Sequence, residues 1–447
     1  MSAEFPFPGV PLKAIAERAE ALHPEAVAFR RDLHRHPERA WTEFRTTAKL
    51  AGRLREMGLE IQLGEEVIKK EVQGGLPPEE TLAEAYEMAR RDRLPEDLLA
   101  PQRGGCTGVM GVLETGRSGP TVGMRFDIDA NMGEESSAPE HLPAREGFAS
   151  ARPGFMHNCA HDGHAAVGLF TAAILAGLRD SLSGRVKFIF QPAEEGIRGA
   201  EPMTAAGLVD DVDFFLAPHI GINALRTGKV VCGTDGFAAK TSIEARFRGR
   251  IAHTGLEPEK VRNATLGVAT TIERIHALAD PFNPSRVMCG YISAGKPKGV
   301  VADRAEMFIA VRGATNAENN RLREETFEII HEAAARHELG VDTEIVGRCV
   351  SAESDEALAR VVAAAAAATG DFDEIVPYGS FGAAEDATYM MERVQSRGGK
   401  ASYLLLGTEL PEGHHRPRFD FNETLLKTGP KLFAAAACRL LAGGPAR

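Results

Sequence analysis

The chain has 447 residues, more than one hydrophobic core usually absorbs, so two domains are expected. Its 52 basic and 63 acidic side chains leave a formal charge of −11, which argues against nucleic acid and anionic membrane as main partners. Six cysteines make no disulfide framework here, no apolar run reaches membrane-spanning length, and Met1–Phe5 lacks the basic and apolar regions of a leader, so a reducing cytoplasmic setting is expected.

Residues from about Ala14 to Met57 read as helical, with a break at Pro37 and a stop at Gly58. Ala26, Phe29, Arg30, Leu33 and His34 recur at helical spacing. The segment Leu33-His34-Arg35-His36-Pro37-Glu38 is rich in titratable groups and, taken alone, reads as a helix end with capping histidines. Residues 64–104 are charged, poor in large apolar side chains, and carry Gly74-Gly75 and Pro77-Pro78. They read as an insertion on the domain rather than as its core, with an amphipathic helix near Pro78 to Asp92.

The core resumes with strands. Thr121 to Ala130 ends in Asp127 and Asp129, two residues apart and so directed to one side. Cys159, His161 and Asp162 stand at the start of an alanine-rich helix that runs through Ala165 to Leu178. The positive end of that helix favours thiolate over thiol. Arg185 to Phe190 is an apolar strand that stops before Pro192 and leads into Glu194-Glu195-Gly196. Asp213 to His219 and Ala401 to Gly407 are two further buried runs, the second followed closely by His414-His415. From about Gly236 the texture changes. Thr241 to Phe247 alternates as a half-buried strand and His253 lies in a turn. A helix from Asn263 to Leu278, strands over Val287 to Ala294 and Ala305 to Arg312, and a helix from Asn316 to Leu339 follow.

This order predicts an α/β fold with a central mixed sheet flanked by helices, built from residues 1–235 and 347–447. An α+β domain is inserted at 236–346. In open α/β sheets, chemistry collects beyond the carboxyl ends of the strands. Asp127 and Asp129, Glu194 and Glu195, His219, and His414 and His415 all stand at such ends, and a helix start adds Cys159 and His161. Thiolate, imidazole and carboxylate together suit zinc and related divalent ions, whereas calcium or magnesium would call for oxygen alone. There are enough groups for two ions. Of the paired glutamates, one carboxylate can hold a metal while its neighbour moves a proton.

Four segments carry a resemblance: Leu33-His34-Arg35-His36-Pro37-Glu38, Arg125-Phe126-Asp127-Ile128-Asp129-Ala130, Met156-His157-Asn158-Cys159-Ala160-His161-Asp162-Gly163-His164 and Gln191-Pro192-Ala193-Glu194-Glu195-Gly196. They resemble the M20 metallo-amidohydrolases, in the branch of hippurate and auxin-conjugate hydrolases. The resemblance implies two divalent metal ions, Mn2+ or Zn2+, bound by Cys159, His161, Glu195, His219 and His415, with Cys159 bridging. It places His415 rather than His414 at the ligand position, and Glu194 as general base. Asp127 and Asp129 would orient ligands. His253 would reach a partner subunit's site and steady the oxyanion, and Asn263 and Arg312 would hold the substrate carboxylate.

The implied reaction is amide hydrolysis of an N-acyl or N-aroyl amino acid, p-aminobenzoyl-glutamate first and indole-acetyl-aspartate as the alternative. The inserted domain would mediate dimerisation and close as a lid, in a homodimer or in a heteromer with a homologous subunit. The other reading is a metal-binding chain that turns over substrate only with such a partner. Ala160 stands where the branch has glycine, Ala383-Ala384-Glu385-Asp386 replaces Gly-Ser-Glu-Asp, and Asn131 replaces an apolar residue.

Overall fold

Arg185–Gln191, Thr121–Asp127, Phe214–Ile220 and Lys400–Leu406 are buried along nearly their whole length, as parallel strands covered on both faces must be. They lie side by side in that order, all parallel, at the centre of an eight-stranded sheet. Glu60–Leu63 and Val109–Glu114 extend it antiparallel on one side, and Lys229–Val231 and Glu374–Val376 complete the other. The sheet is therefore mixed. The computed structural model describes residues 9–278, 285–295 and 300–443, to which every count refers. Met1–Phe5, read for a leader, lies outside the described residues.

Helices Leu12–Arg35, His161–Ala176 and Leu425–Leu441 pack on one another. His161–Ala176 has no polar face and is buried almost throughout, which its alanine-rich sequence allows. It lies so close to the sheet that a Cβ at Gly168 would stand 2.5 Å from the Phe126 ring. The first helix ends at Arg35, two residues before Pro37, and the next begins at Phe44. No helix among the described residues is long and apolar enough to cross a membrane.

The 64–104 segment corrects an expectation. Val67, Ile68, Leu82, Tyr86, Leu98 and Leu99 are buried in the main hydrophobic cluster. Few large apolar residues suffice because helix Glu79–Arg91 buries Leu82, Ala85, Tyr86 and Ala89 along one stripe.

Arg286–Ala294, Arg304–Gly313, Ala239–Arg248 and Gly340–Cys349 form a second, antiparallel sheet in that order. Helices Ala264–His276 and Asn316–Arg336 cover one of its faces. Ile243, Phe247, Val268, Ile309, Val311 and Ile330 meet there in a hydrophobic cluster separate from the main one. The last strand runs past residue 346 to Cys349. Its Gly347 presses on the turn after Gln191: a Cβ there would stand 2.1 Å from the Gly196 carbonyl oxygen. The Arg348 N–H donates to the Ile197 carbonyl at 2.8 Å.

Candidate metal centre

The four central strands point their carboxyl ends to one edge of the sheet, and the polar residues gather there. Asp127 closes its strand, Asp129 follows two residues on, and His219 is the next-to-last residue of its own strand. Glu194 and Glu195 sit in the turn after Gln191. That turn is pinned by buried acceptors. The Glu194 and Glu195 N–H groups donate to the two carboxylate oxygens of Asp129 at 3.0 and 2.9 Å. The Ala193 N–H donates to Glu43 at 2.8 Å. Ala193 itself is left-handed at φ 54°. Cys159 and His161 enter from the start of the buried helix, across Ala160 at φ 67°. The Cβ at Ala160 is thus held in a conformation that glycine takes more readily.

The ligand-type atoms of Cys159, His161 and His219 lie within 4.8 Å of one another, and so do those of Cys159, Glu195 and His415. A third group of the same tightness joins His161 with Glu194 and Glu195. Cys159, His161 and Glu195 are each shared by two of these three groups. All five residues read as ligands, and Glu194 with them, come together. Cys159 Sγ is 3.6 Å from His219 Nε2, and His415 Nε2 is 3.1 Å from Glu195 Oε1.

Each histidine is oriented by a neighbour. His161 Nδ1 contacts the Asp129 carbonyl at 2.9 Å and its carboxylate at 3.2 Å, which leaves Nε2 facing inward. That Nε2 is buried without a hydrogen-bond partner. Buried polar atoms are nearly always paired, so this atom fits the ligand position of a bound cation. His219 Nδ1 bonds the Ile220 carbonyl at 2.8 Å, and burial, reinforced by His164 and His414, holds its pKa well below the usual value. A neutral imidazole is the form that binds metal. His415 and His414 both flank Cys159 but differ. His414 Nε2 accepts the Ile222 N–H at 3.1 Å, so its Nδ1 proton faces Cys159 Sγ at 3.6 Å. His415 keeps Nε2 toward Glu195.

The helix start favours a thiolate, but burial, and then the Glu195 charge, push the Cys159 thiol above its usual pKa. A coordinated cation would act against that push and favour the thiolate. Burial, then Glu385, Asp386 and Glu195, push the Glu194 carboxyl well above the ordinary carboxylate range. Glu194 Oε2 stands 3.9 Å from His161 Nε2.

Several residues of the site went unassigned in the sequence. Arg125 is fully buried and pairs with Asp127 at 2.7 Å, Glu385 at 3.0 Å and Asp386 at 3.1 Å. His164 binds Asp127 through Nδ1 at 2.5 Å and accepts the Ile220 N–H through Nε2, so both its nitrogens are engaged. Arg125 and His164 lay inside the quoted motifs. Only their burial distinguishes them, and burial of a charge is not visible in a motif. His253 lies apart from this cluster, exposed on the loop after Arg248, with Nδ1 accepting from the Gly255 and Leu256 N–H groups. Asn263 caps helix Ala264–His276 by accepting from Thr265 N–H. Arg312 is exposed on the second sheet, opposite Lys240.

Residues 123–439 match the model of peptidase family M20/M25/M40. The chain belongs to this family. Indole-3-acetyl-aspartic acid hydrolase of Enterobacter agglomerans is 42% identical to it, over 94% of this chain and 97% of the relative. A chain of the p-aminobenzoyl-glutamate hydrolase of Escherichia coli, named as one of its subunits, is 39% identical, over 95% and 98%. A crystal structure of an aminobenzoyl-glutamate utilization protein from Klebsiella pneumoniae superposes with a TM-score of 0.82 at 35% identity, covering 96% of this chain and 99% of its own. A dinuclear metal-binding M20 peptidase of Bacillus subtilis, 24% identical with a TM-score of 0.64 over 95% and 99%, shares the fold. This M20 chain is thus a metal-dependent amidohydrolase of the N-acyl amino acid type, and its ligand cluster is of the kind that holds divalent ions.

Proposed function

We propose that this M20 enzyme cleaves aromatic N-acyl derivatives of acidic amino acids, p-aminobenzoyl-glutamate first among them. The observation that carries the reading is the gathering of Cys159, His161, Glu195, His219 and His415 around the free carboxyl of Glu194. The five would hold two divalent ions, Mn2+ or Zn2+, and Cys159 is common to two of the ligand groups. When bound, the ions polarise the amide carbonyl and acidify a water molecule.

Glu194 takes the proton of the attacking water and returns it to the leaving amine nitrogen, so one molecule of water yields the aromatic acid and the free amino acid. Asp129 fixes the turn that carries Glu194 and the ring of His161 together. Asp127, held between Arg125 and His164, supports the cluster from behind. Arg312 receives the substrate carboxylate. Asn263 has only its amide N–H groups to offer, because its oxygen caps a helix. His253 completes the site of a second copy or a homologous partner. Its loop exposes Ile251 at 48% and Leu256 at 78%, which supports burial of this turn between protomers. The second sheet is then the dimerisation and lid domain. All six cysteines are unpaired, which supports a cytoplasmic setting.

The higher identity to the indole-acetyl-aspartate relative favours that conjugate as the second reading. The other relative is named as one part of a multi-chain hydrolase, which keeps a heteromer in view. The test is the purified chain, alone, with Mn2+ or Zn2+, on a panel of aroyl and indolyl conjugates. Release of the amino acid is expected, with Glu194→Ala inactive but still metal-loaded. Turnover retained by Glu194→Ala, or none by the intact chain alone, overturns the assignment of base or of self-sufficient enzyme respectively.

A further inference from the structure

The helix-free face of the second sheet looks at the catalytic turn. Glu244 lines a cavity of about 370 Å3 together with Glu195, Gly196 and Arg198. Gly347, which pairs with Ser242, presses on the Gly196 carbonyl. Residues two apart along a strand share a face, so Lys240, Ser242 and Glu244 share this one. Ile243, Ala245 and Phe247 turn the other way, under the helices.

Lys240 is half-buried and stands directly opposite Arg312 on the adjacent strand. Among the described residues neither makes an ion pair, whereas the buried cations Arg30, Arg45, Arg125 and Lys187 each have a carboxylate partner. Two facing cations destabilise a strand pair. Burial, and then Arg312, hold the Lys240 ammonium below its usual pKa, against the opposite pull of Glu194 and Glu195. Those two glutamates place Lys240 within the field of the reacting centre. A half-buried lysine facing an exposed arginine, with no anion between them and beside the catalytic turn, can receive one from outside. Facing side chains on adjacent strands root about 5 Å apart, a spacing that a short dicarboxylate can bridge.

We infer that Lys240 and Arg312 read the leaving amino acid as a dicarboxylate. Arg312, with its planar fork, takes the α-carboxylate, and Lys240 takes the side-chain carboxylate. Lys240 is then the residue that selects aspartate and glutamate conjugates over neutral ones. The inference rests on the amide-hydrolase reading and goes beyond it by naming what sets the amino acid.

The test compares kcat/KM for an N-aroyl-glutamate and its N-aroyl-glutamine isostere on the metal-loaded full chain. The intact chain should prefer glutamate by about ten-fold or more, the scale of one hydrogen bond to a charged group. Lys240→Met should abolish the preference through KM for the glutamate substrate, and Lys240→Arg should keep it. Thermal unfolding of each variant, at the wild-type temperature, shows that the fold is intact, and Lys240→Gln serves as a second neutral variant. A preference that survives in both neutral variants, or an equal loss on both substrates, overturns the role of Lys240. Failure of the intact chain to cleave either conjugate overturns the hydrolase reading and this one with it.

Discussion

Asp129 shows how much one carboxylate can organise. Its oxygens receive the Glu194 and Glu195 N–H groups and contact His161 Nδ1, so base, ligand turn and imidazole share one anchor. Asp129→Ala strands two N–H groups in a part-buried turn, at about 1–3 kcal/mol each. It should also weaken metal binding by about 10–100-fold, as loss of a ligand's supporting group does. Denaturant titration and metal titration by calorimetry measure the two effects. His34 is a second case. Burial and the Arg30 charge work against its protonation, but Asp162 and Glu135, bonded at 2.8 and 2.9 Å, hold its pKa up to about 9. The folded value is the raised one. The stability this gives is therefore complete below about pH 6.5, the unfolded value, and fades as pH climbs through 9. A decline of up to about 3 kcal/mol is expected across that window, and His34→Gln should flatten it in urea titrations run from pH 6 to 10. In the sequence, the resemblance named Asp129 as a support; it also ran through the His34 segment, but gave His34 no role beyond a helix cap. Its partners Glu135 and Asp162 lie about a hundred residues away.

Among the elements, helix His161–Ala176 ties the site to the core. Its alanine-rich sequence made a buried helix legible, since no polar stripe was available for solvent. The need for glycine at one position was not legible. The gap between helix and sheet at Gly168 is set by Phe126 and Phe190, which only the fold brings there. Gly168→Val would drive a branched side chain into those rings. A loss of at least about 2 kcal/mol is expected, read as a lower denaturation midpoint. The 64–104 segment illustrates the opposite error. Its charge and its Gly-Gly and Pro-Pro pairs suggest an appendage. Yet its helix buries one stripe, and Trp41 donates to the Gly74 carbonyl at 2.9 Å. Composition averages over the two faces of a helix and so conceals the buried one.

For the molecule as a whole, the carboxyl edge of the sheet is crowded with negative charge. Asp127, Asp129, Glu194, Glu195, Glu385 and Asp386 gather there, and the buried guanidinium of Arg125 pairs with only three of them, Asp127, Glu385 and Asp386. Burial and the Glu385 charge raise the Asp386 carboxyl to about 8, the mark of an arrangement short of cations. Saturating Mn2+ or Zn2+ should therefore raise the unfolding temperature, by the equivalent of about 2.7 kcal/mol at a hundred times Kd, and a chelator should reverse it. Scanning calorimetry with and without chelator reads both. The strand-end acids and histidines were legible because their strands are strongly apolar and stop abruptly. The cation-poor balance was not, since it depends on which charges the topology gathers, and −11 over the whole chain says nothing of that.

Where Gly347 meets Gly196, two main chains touch with no side chain as cushion. The smaller body thus bears on the larger at the loop that holds Glu194 and Glu195. Gly347→Ala would force a Cβ onto the Gly196 carbonyl and so displace the turn that carries both glutamates.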